Sequence, residues 1–429
     1  MKRLLWLALI VLLAAGASAQ ESAGGSSAYL QAPIIMKGKT PYLQLVGGEV
    51  PLVPSGQFTI ESAAERRSGK EKLPPLGRVV PPKVDMTAMM TSVKDQGERS
   101  TSTVFAALAA LEALPQIPDD LSEQYTYWRF KLIDGHPGGG LSAHQVGHYL
   151  KGFPVCEERY WPYNPRPVGG VGKTALQKEA QDPPPPLAVQ NRMVGVWESY
   201  HLVDEGPTGN TSARNLQFLK RVLASGYPIV TSFHVAGRDW GGSVQPTIIK
   251  VYRDGKNRPL PSVGGHVMLL VGYNDKGRYF IAKNSWGRDW GYRGFARISY
   301  EYVETYAKDG FFIIRPSKSF YYKVSPEGGY RQRYAFRVSN PGEIFVEVNM
   351  IEGSMPSLAL ILNGPQRPHL PNPKAYYARV DGEASKDKPL ILRYQVTDGD
   401  LALGDEFTIS VAAFSKTGLA GGWLKLVHP

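Results

Sequence analysis

Three short stretches of this chain hold side chains whose types and order suit acyl-transfer chemistry. The first, Asp95-Gln96-Gly97-Glu98-Arg99-Ser100-Thr101-Ser102-Thr103-Val104-Phe105-Ala106, reads as a loop running into a helix. It supplies a side-chain amide, Gln96, and a hydroxyl, Ser102, six residues later. The second, Gly264-Gly265-His266-Val267-Met268-Leu269-Leu270-Val271-Gly272-Tyr273, puts His266 at the start of an apolar strand. The third, Lys283-Asn284-Ser285-Trp286-Gly287, followed by Trp290-Gly291, sets Asn284 close to Trp286. A nucleophile, an imidazole base and an amide that fixes the imidazole tautomer are the parts of a nucleophilic site. A helix N-terminus and a second amide can stabilise the oxyanion. Taken singly, each residue has a plainer reading. Ser102 is a favoured N-cap type, and His266 fits a core histidine with satisfied nitrogens.

These residues need elements to hold them. Ser102 to Leu114 is rich in Ala and Leu and predicts a buried helix stopped by Pro115. Further helices are expected over Ser122 to Ile133, Ser142 to Lys151 and Ser212 to Ser225. Between the last two, the run Pro183 to Pro186 is too stiff for a helix or central strand and reads as a connector between two lobes. Short apolar strands are expected at Pro228 to His234, Gly265 to Tyr273, Tyr279 to Lys283 and Gly294 to Ser299. From about Ser319 the pattern changes to seven short β-rich runs separated by Gly, Pro, Asn and Asp: Tyr334 to Val338, Glu343 to Met350, Leu358 to Leu362, Tyr376 to Val380, Leu390 to Val396, Glu406 to Phe414 and Gly422 to Val427. That spacing predicts an antiparallel β-sandwich.

The three blocks, with Leu121-Ser122-Glu123-Gln124-Tyr125, the glycine run Gly138 to Gly140 and Val155-Cys156-Glu157-Glu158-Arg159-Tyr160-Trp161-Pro162-Tyr163, resemble the papain-like cysteine peptidases, above all bacterial members with few cysteines. The likeness runs from about Lys83 to Arg315, and its most specific part is Lys-Asn-Ser-Trp-Gly followed by Trp-Gly. It implies an α+β fold in which a helical lobe and a β-barrel-like lobe meet at a cleft. It also implies Gln96 as the oxyanion donor, Ser102 at the nucleophile position, His266 as general base, Asn284 as its orienter and Trp286 as the cover. Gly139, Gly140, Gly265 and Trp286 would line the substrate cleft, and no cofactor or metal is called for.

One position departs from the family pattern. Where the family carries its nucleophilic cysteine, this chain has Ser102, with Ser100 in place of a glycine and Thr103 at the next position. A thiol in such a site can exist as a thiolate beside an imidazolium. A serine hydroxyl must instead lose its proton during attack. The expectation is a pseudopeptidase that binds a peptide or protein ligand, with a slow serine-type hydrolase using Ser102, His266 and Asn284 as the alternative. A third reading is a surface or cell-wall polysaccharide binder acting through the C-terminal β-sandwich.

Other signals are weaker. Pro167-Val168-Gly169-Gly170-Val171-Gly172-Lys173-Thr174 imitates a phosphate-binding loop, but Pro167 replaces the first glycine and no strand leads into it. His144 and His148 have zinc-ligand spacing, yet Gln145 stands where a metalloprotease needs Glu. Asn210-Thr211-Ser212 is a glycosylation acceptor by pattern alone.

The whole chain sets the frame. Its 429 residues contain a single cysteine, Cys156, which excludes an intramolecular disulfide and a cysteine-only metal site. Cys156 lies in a loop far along the chain from His266 and reads as a structural thiol. Lys2 and Arg3, the apolar run Leu4 to Ala15 and Ala17-Ser18-Ala19 have the form of a secretory signal peptide. Removing its two charges takes the formal net charge from +11 to +9. No later run reaches the roughly 20 apolar residues of a membrane span, and no dense basic stripe points to nucleic acid. The expected organisation is a signal peptide over 1–19, an extension or propeptide over 20–80, loosely structured apart from runs such as Tyr42 to Val46, a papain-like domain over 81–316 and a β-sandwich over 317–429.

Overall fold

The computed structural model describes residues 34–37, 40–45, 48–52, 73–114, 117–166, 172–203, 212–241, 248–324, 331–350, 354–365, 376–385, 388–413 and 422–429. The expected signal peptide, the first part of the phosphate-loop mimic and Asn210-Thr211 lie outside the described residues.

The helical part is built around α1 (Ser102–Glu112), whose eleven residues are all buried. A helix apolar on every side belongs inside a core, and the run of small Ala residues lets its neighbours approach closely. Thr101, not Ser102, takes the N-cap position, without a side-chain cap bond, so Ser102 is the first helical residue. Helix α2 (Glu123–Asp134) starts where Ser122 Oγ accepts from Tyr125 N and stops at left-handed Gly135. Helix α3 (Ala143–Gly152) begins with a Ser142–Gln145 capping box.

Helix α4 (Ala175–Ala180) is capped by Thr174, the last residue of the phosphate-loop mimic. Helix α5 (Pro186–Gln190) corrects the expectation for the proline run. Its last proline is the first helical residue, where no backbone N–H is needed and the fixed φ already suits a helix. The helix expected over Ser212 to Ser225 begins later, as α6 (Leu216–Ala224), because Asn215 Oδ1 accepts from Phe218 N and caps it; residues Ser212–Arg214 form a 3-10 turn.

Three strands, β1 (Ile34–Lys37), β2 (Thr40–Leu45) and β3 (Gly48–Pro51), form a small antiparallel sheet near the start of the chain. Composition suggested loose structure there. The described residues are instead ordered by burial, since Leu43 and the following Leu52 are fully enclosed in the main apolar core.

The large sheet takes β4 (Lys83–Asp85), β5 (Val194–Val203), β6 (Ile229–Val235), β7 (Gly264–Asn274), β8 (Tyr279–Lys283), β9 (Phe295–Ser299) and, after α7 (Tyr300–Tyr306), β10 (Ala307–Val324). The order β10-β6-β7-β8-β9 is antiparallel throughout, with β4 against β7 and β5 against β10. Strand β7 is buried on both faces for all but its last residue, which explains its unbroken apolar run. Trp240, Phe233 and Tyr302 fill the core beside it.

The C-terminal part holds β11 (Arg331–Arg337), β12 (Gly342–Met350), β13 (Ser354–Asn363), β14 (Ala378–Ser385), β15 (Leu390–Val396), the short α8 (Asp398–Leu401), β16 (Glu406–Ala413) and β17 (Gly422–His428). Strands β15-β12-β17 continue the large sheet from β10, while β11-β16-β13-β14 make a second, four-stranded sheet. Burial alternates strictly along β12, and its inward residues Ile344, Val346 and Val348 meet Leu360 and Ile409 of the other sheet in a second apolar cluster.

The boundary expected between residues 316 and 317 falls inside β10. This strand pairs with β5 and β6 in its first half and with β17 in its second. Its register shifts around Arg315 and Pro316, where a proline cannot donate to the ladder.

Candidate active site

One wall of the site is the loop from Asp95 to Thr101 leading into α1. Gln96 is fully buried, and both ends of its amide are engaged: Nε2 donates to the carbonyl of Arg99 at 2.8 Å, and Oε1 accepts from Ser285 Oγ at 2.7 Å. Its backbone is fixed too, since Gln96 N donates to Ser285 O at 2.8 Å and Gln96 O accepts from Tyr163 Oη at 2.9 Å. Gly97 turns the loop at φ +55°, and a Cβ there would stand 2.7 Å from Pro165, so only glycine fits. Ser102 opens α1, 2% exposed, at the positive end of the helix.

The facing wall is β7 and the turn after β8. His266 is 1% exposed and shares a 2.7 Å hydrogen bond between Nε2 and Asn284 Oδ1. The same oxygen accepts from Ser285 N at 2.8 Å. An oxygen with two donors fixes the amide, and the amide in turn makes Nε2 the protonated nitrogen. Trp286 packs over the imidazole with ring centres 4.2 Å apart, and Trp240 approaches it edge-on at 6.1 Å. Burial pushes the His266 imidazole down to about 4, with the Asn284 bond opposing, so the ring is neutral at pH 7. The two walls are joined by the Asp95–Trp286 bridge and by Gly287 N donating to Lys94 O at 3.1 Å, at a turn where Gly287 has φ +76°.

Behind Asn284 lies a buried ion cluster. Lys94 Nζ stands 3.1 Å from Glu112, 2.7 Å from Asp120 and 2.8 Å from Glu123. Burial alone would lower the Lys94 ammonium, but the charges of Glu123 and Glu112 hold it above its ordinary range. Lys283 Nζ reaches Thr91 Oγ1 at 3.0 Å, and burial brings this lysine down to about 8. A cavity of about 10 Å³ separates these groups from Asn284 and Ser285.

The structure therefore gathers Gln96, His266, Asn284 and Trp286 into one network. Gly139 lies against the neighbouring loop: its carbonyl accepts from Tyr127 Oη at 2.6 Å, and a Cβ on it would lie 3.0 Å from Ser100. Gly140 points its carbonyl to Lys131 Nζ at 3.3 Å, and Gly265 pairs with His234 in the β6–β7 ladder.

The set-aside residues stay apart from this network. Cys156 is buried, its carbonyl accepting from Ser122 N, and burial pushes its thiol up to about 12. The His144 ring packs on His201 of β5, and among the described residues no cluster of His, Cys, Asp and Glu could hold a metal ion.

Two features had no local signal in sequence, Trp240 and the Lys94 cluster, and a third, the N-terminal sheet, showed only the strand-like run Tyr42 to Val46. The last borders the site directly. A Cβ on Gly264, two residues before His266, would meet Leu52 at 2.7 Å and Pro41 at 3.2 Å.

Residues 80–309, more than half the chain, match the papain family of cysteine proteases, and the chain belongs to that family. It is 31% identical over 166 residues to an uncharacterized peptidase C1-like protein of Acanthamoeba polyphaga mimivirus, covering 38% of this chain and 48% of that one. It is 27% identical over 238 residues to a cathepsin L-like proteinase of Fasciola hepatica, covering 52% and 61%. The chain thus spans about half to three fifths of the length of these curated relatives. Among solved structures, xylellain, a cysteine protease from Xylella fastidiosa, aligns over 57% of this chain and 91% of its own, at 26% identity and a TM-score of 0.45. The cysteine protease and lectin-like domains of Cwp84 from Clostridium difficile align over 82% and 79%, at 16% identity and a TM-score of 0.43.

Proposed function

We propose that this chain is an exported papain-family pseudopeptidase whose cleft binds peptide or protein segments without the turnover of a cysteine peptidase. The observation that carries the reading is Ser102 at the first position of α1, on the loop stitched by Gln96 to the turn carrying Asn284. The chain's one thiol, Cys156, is buried elsewhere with its pKa near 12, and it cannot stand in as a nucleophile. In this reading His266 is the base position, Asn284 its orienter, Gln96 the oxyanion donor and Trp286 the cover. Gly139, Gly140 and Gly265 supply backbone to a bound peptide. Export rests on the leader-like residues 1–19, and the peptide class of ligand rests on family membership. We assign the two-sheet C-terminal part as a β-sandwich that positions the cleft or contacts a surface.

A second reading is favoured by one observation. A serine hydroxyl needs a neutral base, and His266 is neutral at pH 7; the family's thiolate–imidazolium pair would need the opposite charge state. Slow serine-type hydrolysis through Ser102 is therefore chemically consistent with this site.

The test uses the full chain and its Ser102→Cys variant against a mixed peptide library, with a fluorophosphonate probe. The pseudopeptidase reading predicts no turnover and no labelling by the unmodified protein, retained peptide binding, and His266-dependent hydrolysis once the thiol is restored. Fluorophosphonate labelling of Ser102 would favour the second reading. Robust hydrolysis by the unmodified chain that disappears in His266→Ala would overturn the first.

A further inference from the structure

The loop carrying Gln96 has no ladder of its own, so the aim of its side chain must come from elsewhere. We propose that Arg99 is a positioning residue for the site, its buried guanidinium fixing the carbonyl from which the Gln96 amide hangs. The proposal rests on the reading of Gln96 as oxyanion donor given above.

The guanidinium is almost fully enclosed, with 3% of the side chain exposed. Nη2 lies 2.6 Å from Glu179 Oε1 on α4, and Nη1 donates to Gln124 Oε1 on α2 at 2.5 Å and to the carbonyl of Asn164 at 3.0 Å. The rings of Tyr127 and Tyr163 flank it, with centres 4.9 and 5.1 Å from Cζ. Five attachments to three separate segments leave the residue no rotational freedom. Its backbone carbonyl is the other half of the device: it accepts from Gln96 Nε2 at 2.8 Å and from Thr101 N at 2.9 Å.

The geometry of an amide makes this decisive. A carboxamide is planar, with two donors and one acceptor in fixed directions. The bond to Arg99 O fixes one N–H, and the bond from Ser285 Oγ fixes the oxygen. The second N–H then has one direction only. A donor set in place before charge develops stabilises an oxyanion without reorganisation, and such a donor needs its supporting contacts locked. Lysine cannot replace Arg99 here. It lacks the planar fork that reaches Glu179 and Gln124 together and the flat face that lies between two tyrosines.

Two measurements test the proposal. The first needs no catalysis. In full-length protein labelled with 15N-glutamine and ring-15N-histidine, the Gln96 side-chain pair, assigned by its loss in Gln96→Met, should be dispersed and slow to exchange. In Arg99→Lys it should move to the free-glutamine position and exchange at least about tenfold faster, while the His266 ring signals stay in place. Glu179→Gln, which keeps a hydrogen-bond acceptor, covers the case in which Arg99→Lys fails to fold, and should shift the same pair part of the way. An unmoved Gln96 pair in a folded variant overturns the proposal.

The second measurement uses the Ser102→Cys background. Hydrolysis of a peptidyl ester should fall about 10- to 100-fold in kcat on Arg99→Lys, with KM and the rate of alkylation by iodoacetamide within about twofold. Alkylation develops no oxyanion, so losses shared equally by both reactions would mark Arg99 as a structural residue and overturn its positioning role. A Ser102→Cys protein whose alkylation ignores His266 would instead refute the reading of the cleft, leaving the magnetic-resonance result to decide Arg99.

Discussion

Gln96 and Ser102 sit on a loop that, beside the short Asp95–Trp286 bridge, is held by side-chain bonds to α2, α4 and the 163–165 segment, whereas His266 is laddered to Phe233 of β6 and Asn284 directly follows β8. The first wall depends on charge and hydrogen bonding between residues far apart in the chain. The second depends on backbone pairing and on aromatic rings, Trp240 and Trp286 against His266 with Trp290 edge-on behind Trp286. The difference teaches that one site can be half sheet and half polar staple, and that the halves should fail in different ways.

Disabling each wall at its centre should give the largest effects. Trp286→Ala removes a buried ring from the sheet-side stack and should cost about 3–5 kcal/mol, read as a shifted urea midpoint. Lys94→Met leaves Glu112 and Glu123 buried without their cation and should cost a similar about 3–5 kcal/mol. Lys283→Met in the same cluster should cost under about 1 kcal/mol, because this lysine is held charged against its burial. Equal losses for the two lysines would break the distinction between a needed and a tolerated buried charge.

The next effect is one of pH. The folded His266 has its pKa pushed below the ordinary value to about 4, so the unfolded chain binds the proton more readily. Its contribution is whole above about pH 6.5 and is lost as pH falls towards 4, by about 3 kcal/mol. Urea titrations from pH 7 to 4 should differ between the unmodified protein and His266→Gln by this amount, because the carboxyls of Glu123 and Glu158, pushed up by burial to about 8 and about 7, titrate in both. Matching pH profiles for the two proteins would place the titrating group elsewhere.

Smaller still, Ser285→Ala removes the hydroxyl that bridges the walls and leaves Gln96 Oε1 buried without a donor. The expected loss is about 1–3 kcal/mol, with binding of a cleft-spanning peptide weakened as well. At the bottom of the range, Arg393→Ala breaks an exposed pair with Glu343 and should change stability by less than about 1 kcal/mol.

How far the sequence could be read follows the same divide. His266, Asn284 and Trp286 were legible because a buried strand and a tight turn leave their mark within a few consecutive residues. Helix α1 was legible from its Ala and Leu content, and α2 and α3 were expected over Ser122 to Ile133 and Ser142 to Lys151, whose first residues the structure shows as their caps. Arg99 was invisible as a positioning residue because its partners Gln124, Asn164 and Glu179 lie 25, 65 and 80 residues away, and no local pattern encodes such a meeting. Of the N-terminal strands only β2 left a mark, in the run Tyr42 to Val46, and their place in the core was hidden for a related reason. Leu52 packs where Gly264 presents a surface without a side chain, a meeting of residues more than 200 positions apart. The proline run misled because stiffness excludes a helix interior but suits a helix start.

Strand β10 gives the molecule a mechanical property. Its 18 residues run unbroken from a ladder with β6, the neighbour of the His266 strand, to a ladder with β17 in the C-terminal part. A tension applied to the C-terminal sheets would load those ladders in shear, many hydrogen bonds at once, and would not stretch a slack tether. The strand therefore couples the sheet that carries His266 to the C-terminal sheets, so that a load on one is a load on the other.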